Sequence, residues 1–333
     1  MKTNSLKLTS SEIGGVWAAF MNDSMALCTL GHFLRIVEDK EIHNVLQFAY
    51  NLSEKHIKLL RKFLKEDGLA IPQGFTSEDV DLKAPRLYSD NFYLFYLINM
   101  AKFGMSSYSV SLFHVSREDI RHYFSECLVS SVELYNKLAE TMLSKGLFIK
   151  APRVEVTKEI DFIKKDSFLS GFIRELRPLL TIEITHIFAN ALTSIVGRPL
   201  VTGFAQAAKS RQVRDYMLRG KDISSKHIEV LSSLLANEDI PIPSTYETFT
   251  TDSTIAPFSD KLMMFHIALL NSSSIGAYAA AMAASMRRDL HANYVRLSAE
   301  IAQYANDGIN IMIDNGWMEQ PPQVINHEVL AGV

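Results

Sequence analysis

The segment Leu52–Phe75, LSEKHIKLLRKFLKEDGLAIPQGF, decides the fold of this chain because it occurs twice. The second copy is Ile223–Tyr246, ISSKHIEVLSSLLANEDIPIPSTY, and 8 of the 24 aligned positions are identical. His227 follows His56 by 171 residues, close to half of the 333-residue chain. In both copies apolar residues recur at the spacing of an amphipathic helix, and a proline-containing connection follows. The repeat therefore predicts an internal duplication.

The duplication extends over most of the chain. Glu12 pairs with Glu183 at the same offset of 171, and beyond the proline-containing connection the offset becomes 170. One residue has been lost in that connection, where a change of loop length costs little free energy. The pairs at offset 170 are Tyr108/Tyr278, Arg117/Arg287, Asp119/Asp289 and Gly146/Gly316.

Each repeat is predicted to form four helices. In the first repeat, Thr9 and Glu12 form the capping box that begins helix 1, and Gly68 ends helix 2 with a left-handed cap. The connection Leu69–Pro85 follows, then helix 3 over about Arg86–Val115, and helix 4 ends near Gly146. A connection of about 17 residues reaches some 55 Å, whereas a helix of about 27 residues is only about 40 Å long. The connection can therefore cross the bundle, which leaves helices 2 and 3 parallel.

Two short turns on either side of one long crossover are the connectivity of a ferritin-like bundle. We therefore predict an all-α chain of two tandem ferritin-like four-helix bundles, at residues 1–150 and 178–320. Residues 151–177 are charged and irregular in period, and are interpreted as a linker with a short packed segment. Residues 321–333 are predicted to be a tail.

Composition excludes several classes of function. A net charge of −3 gives no reason to expect nucleic acid or a membrane as a partner. The amino-terminal residues lack the apolar region of a secretory signal, and the apolar stretch 261–286 is interpreted as a buried helix, so we expect a soluble cytoplasmic protein. Cys28 and Cys127 lack metal-site spacing and are expected to behave as small hydrophobic residues.

Five segments carry a resemblance to a known family: TSSEIGGVW, LSEKHI, APRLYSD, APFSDKLMMFH and DNGWMEQPP. They resemble an uncharacterised bacterial family of tandem ferritin-like bundles, found largely in endospore formers and sometimes labelled as candidate spore-coat proteins. The resemblance implies the fold and an association with spores. It brings no established activity and no site residues.

A histidine lies on the inward face of the second helix in each repeat. Its heptad position is otherwise apolar, so the side chains of His56 and His227 are predicted to face the core. Counting residues from the first turn places Asp23 at the height of His56, and Glu300 near the height of His227. A buried imidazole needs hydrogen-bond partners or a metal ion, and both interpretations stay open.

A di-iron centre is disfavoured. Such a centre needs Glu-x-x-His on two helices, and neither SEKH (residues 53–56) nor SSKH (residues 224–227) has a Glu at the required position. In helix 4 of the first repeat, the height of His56 is predicted to correspond to Ser130 to Glu133. A mononuclear site is therefore the metal centre that the sequence still allows.

Glu183 and His186 form a Glu-x-x-His that places both side chains on one face of the first helix of the second repeat. Glu12, the counterpart of Glu183, has no such histidine. Both glutamates also lie in a first helical turn, where a carboxylate is favourable for the helix dipole. Glu183 and His186 are thus either metal ligands or features of a helix end.

Two functions follow as hypotheses. The first is a non-enzymatic structural or interaction protein, with a protein partner or self-association. The second is a metal- or small-ligand-binding protein holding a single Fe, Mn or Zn ion. The candidate ligands for the second are His227, His186, Glu183, Glu300, His56 and Asp23. Whether the chain is an enzyme is left open.

Overall fold

The computed structural model of the chain describes residues 6–172, 176–245 and 247–327. Tyr246, which ends the second copy of the repeated segment, and the last six residues of the predicted tail lie outside the described residues. Within those ranges the chain folds into two sets of four helices, which confirms the predicted all-α class and the two tandem bundles. The helices are α1 (Ser10–Ile36), α2 (Lys40–Glu66), α3 (Asp90–Leu112), α4 (Glu118–Ser144), α5 (Thr181–Ala207), α6 (Arg211–Ala236), α7 (Asp260–Ala284) and α8 (Arg288–Asp314).

Polar side chains fix the ends of the first bundle. The hydroxyl of Thr9 and the carboxylate of Glu12 form the expected capping box at the start of α1. The carboxylate of Asp90, at the start of α3, accepts hydrogen bonds of 2.8 Å from the amides of Glu38 and Asp39, which lie in the α1–α2 turn. Helices α2 and α3 therefore begin at the same end of the bundle and run parallel, as the length of the crossover predicts.

Helix α3 is shorter than predicted, because it begins at Asp90 rather than near Arg86 and ends at Leu112 rather than near Val115. The residues just before Asp90 form their hydrogen bonds outside this helix. The amide of Ser89 donates to the carbonyl of Phe249, and the carbonyl of Leu87 accepts from Thr251, so their backbone groups are engaged by the second repeat.

The two crossover loops pair with each other. Val80 forms an antiparallel bridge with Phe258, and Tyr88 forms one with Thr250. Four backbone hydrogen bonds of 2.8–2.9 Å support these bridges. Residue 80 corresponds to residue 250 and residue 88 to residue 258 by the offset of 170, so each bridge is the image of the other. The repeats are therefore related locally by a pseudo-two-fold axis through this pairing.

One hydrophobic core spans both repeats. The halves of the two bundles nearest the α1–α2 and α5–α6 turns contribute to it together, with Phe33 and Tyr96 from the first repeat and Phe204 and Met263 from the second. The ring of Phe33 in the first repeat lies 6.2 Å from that of Phe258 in the second repeat, edge to face. Each far end keeps a smaller core of its own. Burial across the junction thus joins the bundles through apolar contact as well as hydrogen bonds.

The described part of the linker contains one 3-10 turn, Asp166–Leu169. It packs against the start of the second bundle, where Arg177 donates a hydrogen bond to the carbonyl of Phe168 and stacks over its ring at 4.4 Å. The exact limits of linker, bundles and tail stay a prediction.

Among the described helices, α5 and α7 are long and apolar enough to span a membrane by length and composition alone. This is weak evidence, because a core helix of a globular protein passes the same test. In α5 the apolar window is 56% buried in the fold, whereas in α7 it is 22% buried.

Candidate functional site

The two histidines of the repeated segment are buried at equivalent positions on α2 and α6. His56 is 7% exposed and His227 is 2% exposed, as the heptad position predicts. Each imidazole contacts neighbouring helices through both ring nitrogens, but the partners differ between the repeats. We call the two clusters the first and the second histidine centre.

In the first histidine centre an imidazole lies between a carboxylate and a thiol. Nδ1 of His56 is 3.2 and 3.3 Å from the carboxylate oxygens of Asp23 on α1, and Nε2 is 3.4 Å from Sγ of Cys127 on α4. The rings of Tyr108 and Tyr123 pack edge-on against the imidazole. Asp23 is 5% and Cys127 1% exposed, so the cluster is closed to bulk water.

The first histidine centre carries charge. Burial alone would lower the pKa of His56, but the hydrogen bonds to Asp23 and Cys127 outweigh burial and raise that pKa to about 10. At neutral pH the ring is therefore an imidazolium that donates from Nδ1 to Asp23 and directs its Nε2 proton at the sulfur.

In the second histidine centre the imidazole is neutral, and the cluster reaches the surface. Nε2 of His227 is 3.1 Å from Glu300 on α8, and Nδ1 is 2.9 Å from the hydroxyl of Tyr278 on α7. Burial lowers the pKa of His227, and Glu300 offsets this only in part. Burial would raise the pKa of Glu300, but Lys226 and His227 lower it, so the carboxylate is ionised. The imidazole therefore donates from Nε2 to Glu300 and accepts at Nδ1 from Tyr278.

The difference between the centres follows from two replacements. By the repeat offsets, Asp23 corresponds to Ser194 and Cys127 to Leu297, whereas the tyrosine of the third helix is kept. Ser194 hydrogen bonds with Tyr278 instead of with the histidine. The second repeat has thus lost the buried acid and the thiol, and its histidine pairs with an acid at the bundle edge.

Glu183 lies far from the second histidine centre. Its carboxylate is fully buried and accepts hydrogen bonds from the guanidinium of Arg177 and from the amides of Leu180, Met286 and Arg287. Arg287 also donates to Glu238, just beyond the end of α6. His227 lies 11 residues before Glu238, which is about 16 Å along the helix axis. The carboxylate of Glu183 therefore links the linker, the start of α5 and the start of α8 at this end of the bundle.

The structure groups the predicted ligands in pairs. It brings Asp23 to His56 and Glu300 to His227, whereas Glu183 lies at the bundle end and His186, half-buried, lies one turn beyond it. Asp23 and Cys127 contact different nitrogens of His56, so they face different sides of the ring. In the part of the chain that the structure describes, no three His, Cys, Asp or Glu side chains are arranged to hold a metal ion. The metal role of these residues stays a prediction.

Sequence reasoning missed Cys127 as a partner of His56. The height of His56 on α4 was predicted at Ser130 to Glu133, and the sulfur lies about one helical turn earlier. The signal was present, because Cys127 falls on the inward stripe of α4, but an apolar stripe does not distinguish a thiol from a packing residue.

Glu12 and Glu183 make equivalent networks at the far ends of the two bundles. Glu12 is fully buried and accepts hydrogen bonds from the amides of Thr9, Ser116 and Arg117. Burial raises the pKa of both carboxylates, but hydrogen bonds outweigh it. The amides, led by that of Arg117, lower the pKa of Glu12 to about 2, and chiefly Arg177 lowers that of Glu183 to about 2.

These two carboxylates should make the protein sensitive to acid. Because each pKa is depressed on folding, the stabilisation is complete above the unfolded value of 4.5 and is lost as pH falls toward about 2. Between pH 6 and pH 3 we expect the free energy of unfolding to fall by about 2 kcal/mol for each carboxylate. Urea unfolding of the wild type and of the E12Q/E183Q variant at both pH values measures this. An equal fall in both proteins would contradict the assignment.

A known protein family matches each of the two repeats separately. The model of a family described as "Protein of unknown function (DUF3231)" matches residues 1–160 and again residues 167–330. The crystal structure of a "putative spore coat protein" from Bacillus halodurans C-125 is similar at 17% identity, with a TM-score of 0.42, over 46% of this chain and 100% of that chain. No curated protein matches.

Proposed function

We propose that this chain, which belongs to the family described as protein of unknown function (DUF3231), is a structural or interaction protein. The observation that carries the proposal is the mutual pairing of the two crossover loops over one shared core. Relative motion of two domains is the default unless their interface is large and apolar. Apolar side chains of both repeats share one core and backbone hydrogen bonds cross the junction, so in this proposal the chain holds two related helical surfaces in a fixed geometry. A rigid double bundle of ferritin-like connectivity suits a building block of a larger assembly.

We further propose that the assembly forms by self-association through the outer face of α4. Val129 is 67% and Val132 41% exposed there, beside the charged side chains of Glu133 and Lys137. Exposed apolar side chains rimmed by charges are typical of protein contact surfaces. A cytoplasmic location, expected from the sequence, and association with spores belong to the same proposal. The association with spores rests on the resemblance of five sequence segments to a family found largely in endospore formers.

Sedimentation velocity tests the self-association. The wild type should form species larger than 37.5 kDa as its concentration rises, and V129E/V132E should sediment as a monomer. The matched control is V295E, which places a charge at a valine that is 57% exposed on α8. A wild type that stays monomeric at every concentration, or a control that dissociates as fully as the double variant, would overturn the proposal.

A second candidate function is the binding of a single Fe, Mn or Zn ion at the second histidine centre. Glu300 is 27% exposed on its side chain and lies 3.1 Å from Nε2 of His227, so an ion arriving from solvent meets a carboxylate and an imidazole together. An ion bound at Nε2 would displace the proton there, and Nδ1 would then carry the proton and donate it to the hydroxyl of Tyr278 at 2.9 Å, as the second ring nitrogen does in metal sites.

Elemental analysis of the purified protein tests this second candidate. Metal binding predicts a stoichiometric ion in the wild type that is lost in H227A and in E300A. The control is H56A, which removes the other buried histidine and should retain the ion. A protein that stays metal-free after exposure to all three ions would exclude this candidate.

A further inference from the structure

The first histidine centre contains a thiol whose neighbours are those of an activated nucleophile. Sγ of Cys127 lies 3.4 Å from Nε2 of His56, and Asp23 holds the opposite nitrogen of that ring at 3.2 Å. The three side chains come from α4, α2 and α1, so the fold, rather than a local motif, aligns them. A cysteine sulfur beside an imidazolium that a third group orients is one of the arrangements that activate a nucleophile.

The second cysteine of the chain provides the contrast. Cys28 is 7% exposed, and its thiol donates to the carbonyl of Thr76 at 3.3 Å. Burial, with the charge of Asp79 next, raises the pKa of Cys28 to about 12, which keeps its thiol protonated. The chain therefore carries two buried thiols, one beside an imidazolium and one that is chemically inert.

A third feature is the buried hydroxyl of Tyr123, which would donate a hydrogen bond to an oxygen atom placed on the sulfur of Cys127. This hydroxyl lies in a residue that is only 3% exposed, and it has no nitrogen or oxygen partner among the described residues. The ring of Tyr123 packs on His56 at 5.7 Å, and its hydroxyl interacts with the sulfur of Cys127. Sulfur is a weak acceptor, so an oxygen atom placed on it would satisfy this buried donor better.

We propose that Cys127 is a modification site for small uncharged peroxides, activated by His56 and oriented by Asp23. The thiolate attacks one oxygen of hydrogen peroxide, a sulfur–oxygen bond forms and the oxygen–oxygen bond breaks. The sulfur loses two electrons to the peroxide, and the leaving hydroxide takes the Nε2 proton of His56 and departs as water. The product is a sulfenic acid whose oxygen accepts from Tyr123. Because Cys127 is only 1% exposed, the centre excludes larger thiols.

Competition between the two thiols of the wild type tests the proposal without any variant. The full chain is treated with limiting hydrogen peroxide at neutral pH, trapped with dimedone during unfolding, and mapped by mass spectrometry. Cys127 should be labelled at least about tenfold more than Cys28 in the folded protein, and the difference should vanish when peroxide is added in urea. Equal labelling of the two thiols in the folded protein would overturn the proposal.

Two variants separate activation from access. H56Q and D23N should each lower the labelling of Cys127 by about fivefold or more and leave that of Cys28 unchanged. Circular dichroism and gel filtration check that each variant is folded. A folded H56Q that keeps the full preference for Cys127 would show that access alone governs the reaction, and would also overturn the proposal.

Discussion

Replacing Glu183 with alanine is expected to lower the free energy of unfolding of the second bundle by about 3–5 kcal/mol. The carboxylate is fully buried and receives two hydrogen bonds of 2.8 Å from Arg177, whose side chain is 11% exposed. Removing it leaves a largely buried guanidinium without its carboxylate, and leaves the amides of Leu180 and Met286 without their acceptor. Urea unfolding at neutral pH, followed by circular dichroism, gives the loss.

The control for this variant is Glu229→Ala, which removes an exposed glutamate from α6. It should change the free energy of unfolding by less than about 0.5 kcal/mol. Glu12→Ala should weaken the first bundle through the same loss of buried amide partners. A loss below about 1 kcal/mol in E183A would mean that the carboxylate does not hold this end of the bundle together.

The role of Glu183 shows where sequence reasoning stops. Its place in a first helical turn predicts a favourable interaction with the helix dipole, and the capping hydrogen bond that it accepts from the amide of Leu180 agrees with that interpretation. The Glu-x-x-His pattern also allowed a metal ligand. A choice between these two roles needs the positions of Arg177, in the linker, and Arg287, at the start of α8, which both donate hydrogen bonds to Glu183. A spacing within one helix contains no information about groups that the tertiary fold brings to it.

The pairing of Asp23 with His56 was predictable, whereas that of Cys127 was not. Helices α1 and α2 are joined by a three-residue turn, so the helical rise alone fixes which residues lie level. Helix α4 follows a long crossover and another helix, and a shift of one turn accumulates along that path. The error from Ser130 to Cys127 is of that size.

The contact between the two bundles could not be predicted from the sequence either. Repetition predicted two similar units, and proline marked the crossover loops, but each loop could have directed its backbone groups to water. Their mutual pairing depends on side chains such as Tyr88 and Phe258 filling the junction, and on Gly203 leaving room for a ring. Those contacts lie 115 or more residues apart in the chain and share no periodic pattern.

Replacing Tyr88 with alanine should therefore cost about 3–5 kcal/mol and loosen the union of the two bundles. The ring is 1% exposed, stacks on Phe92 at 4.3 Å, and donates its hydroxyl to the carbonyl of Leu200 at 2.7 Å. Its loss leaves a cavity at the junction and a buried carbonyl of α5 without that donor. Urea unfolding measures the free energy, and limited proteolysis of the linker reports the loosening.

Variants on both sides of this contact separate its contributions. Y88F removes only the hydroxyl and should cost about 1 kcal/mol. G203A, whose added methyl would overlap the ring of Tyr88, should cost about 1–3 kcal/mol. G197A lies on the same helix with open space around it, and should instead stabilise the protein by up to about 1 kcal/mol, because alanine favours a helix. If G203A were as harmless as G197A, the aromatic ring would not occupy the junction, and the rigid union on which the proposed function rests would fail.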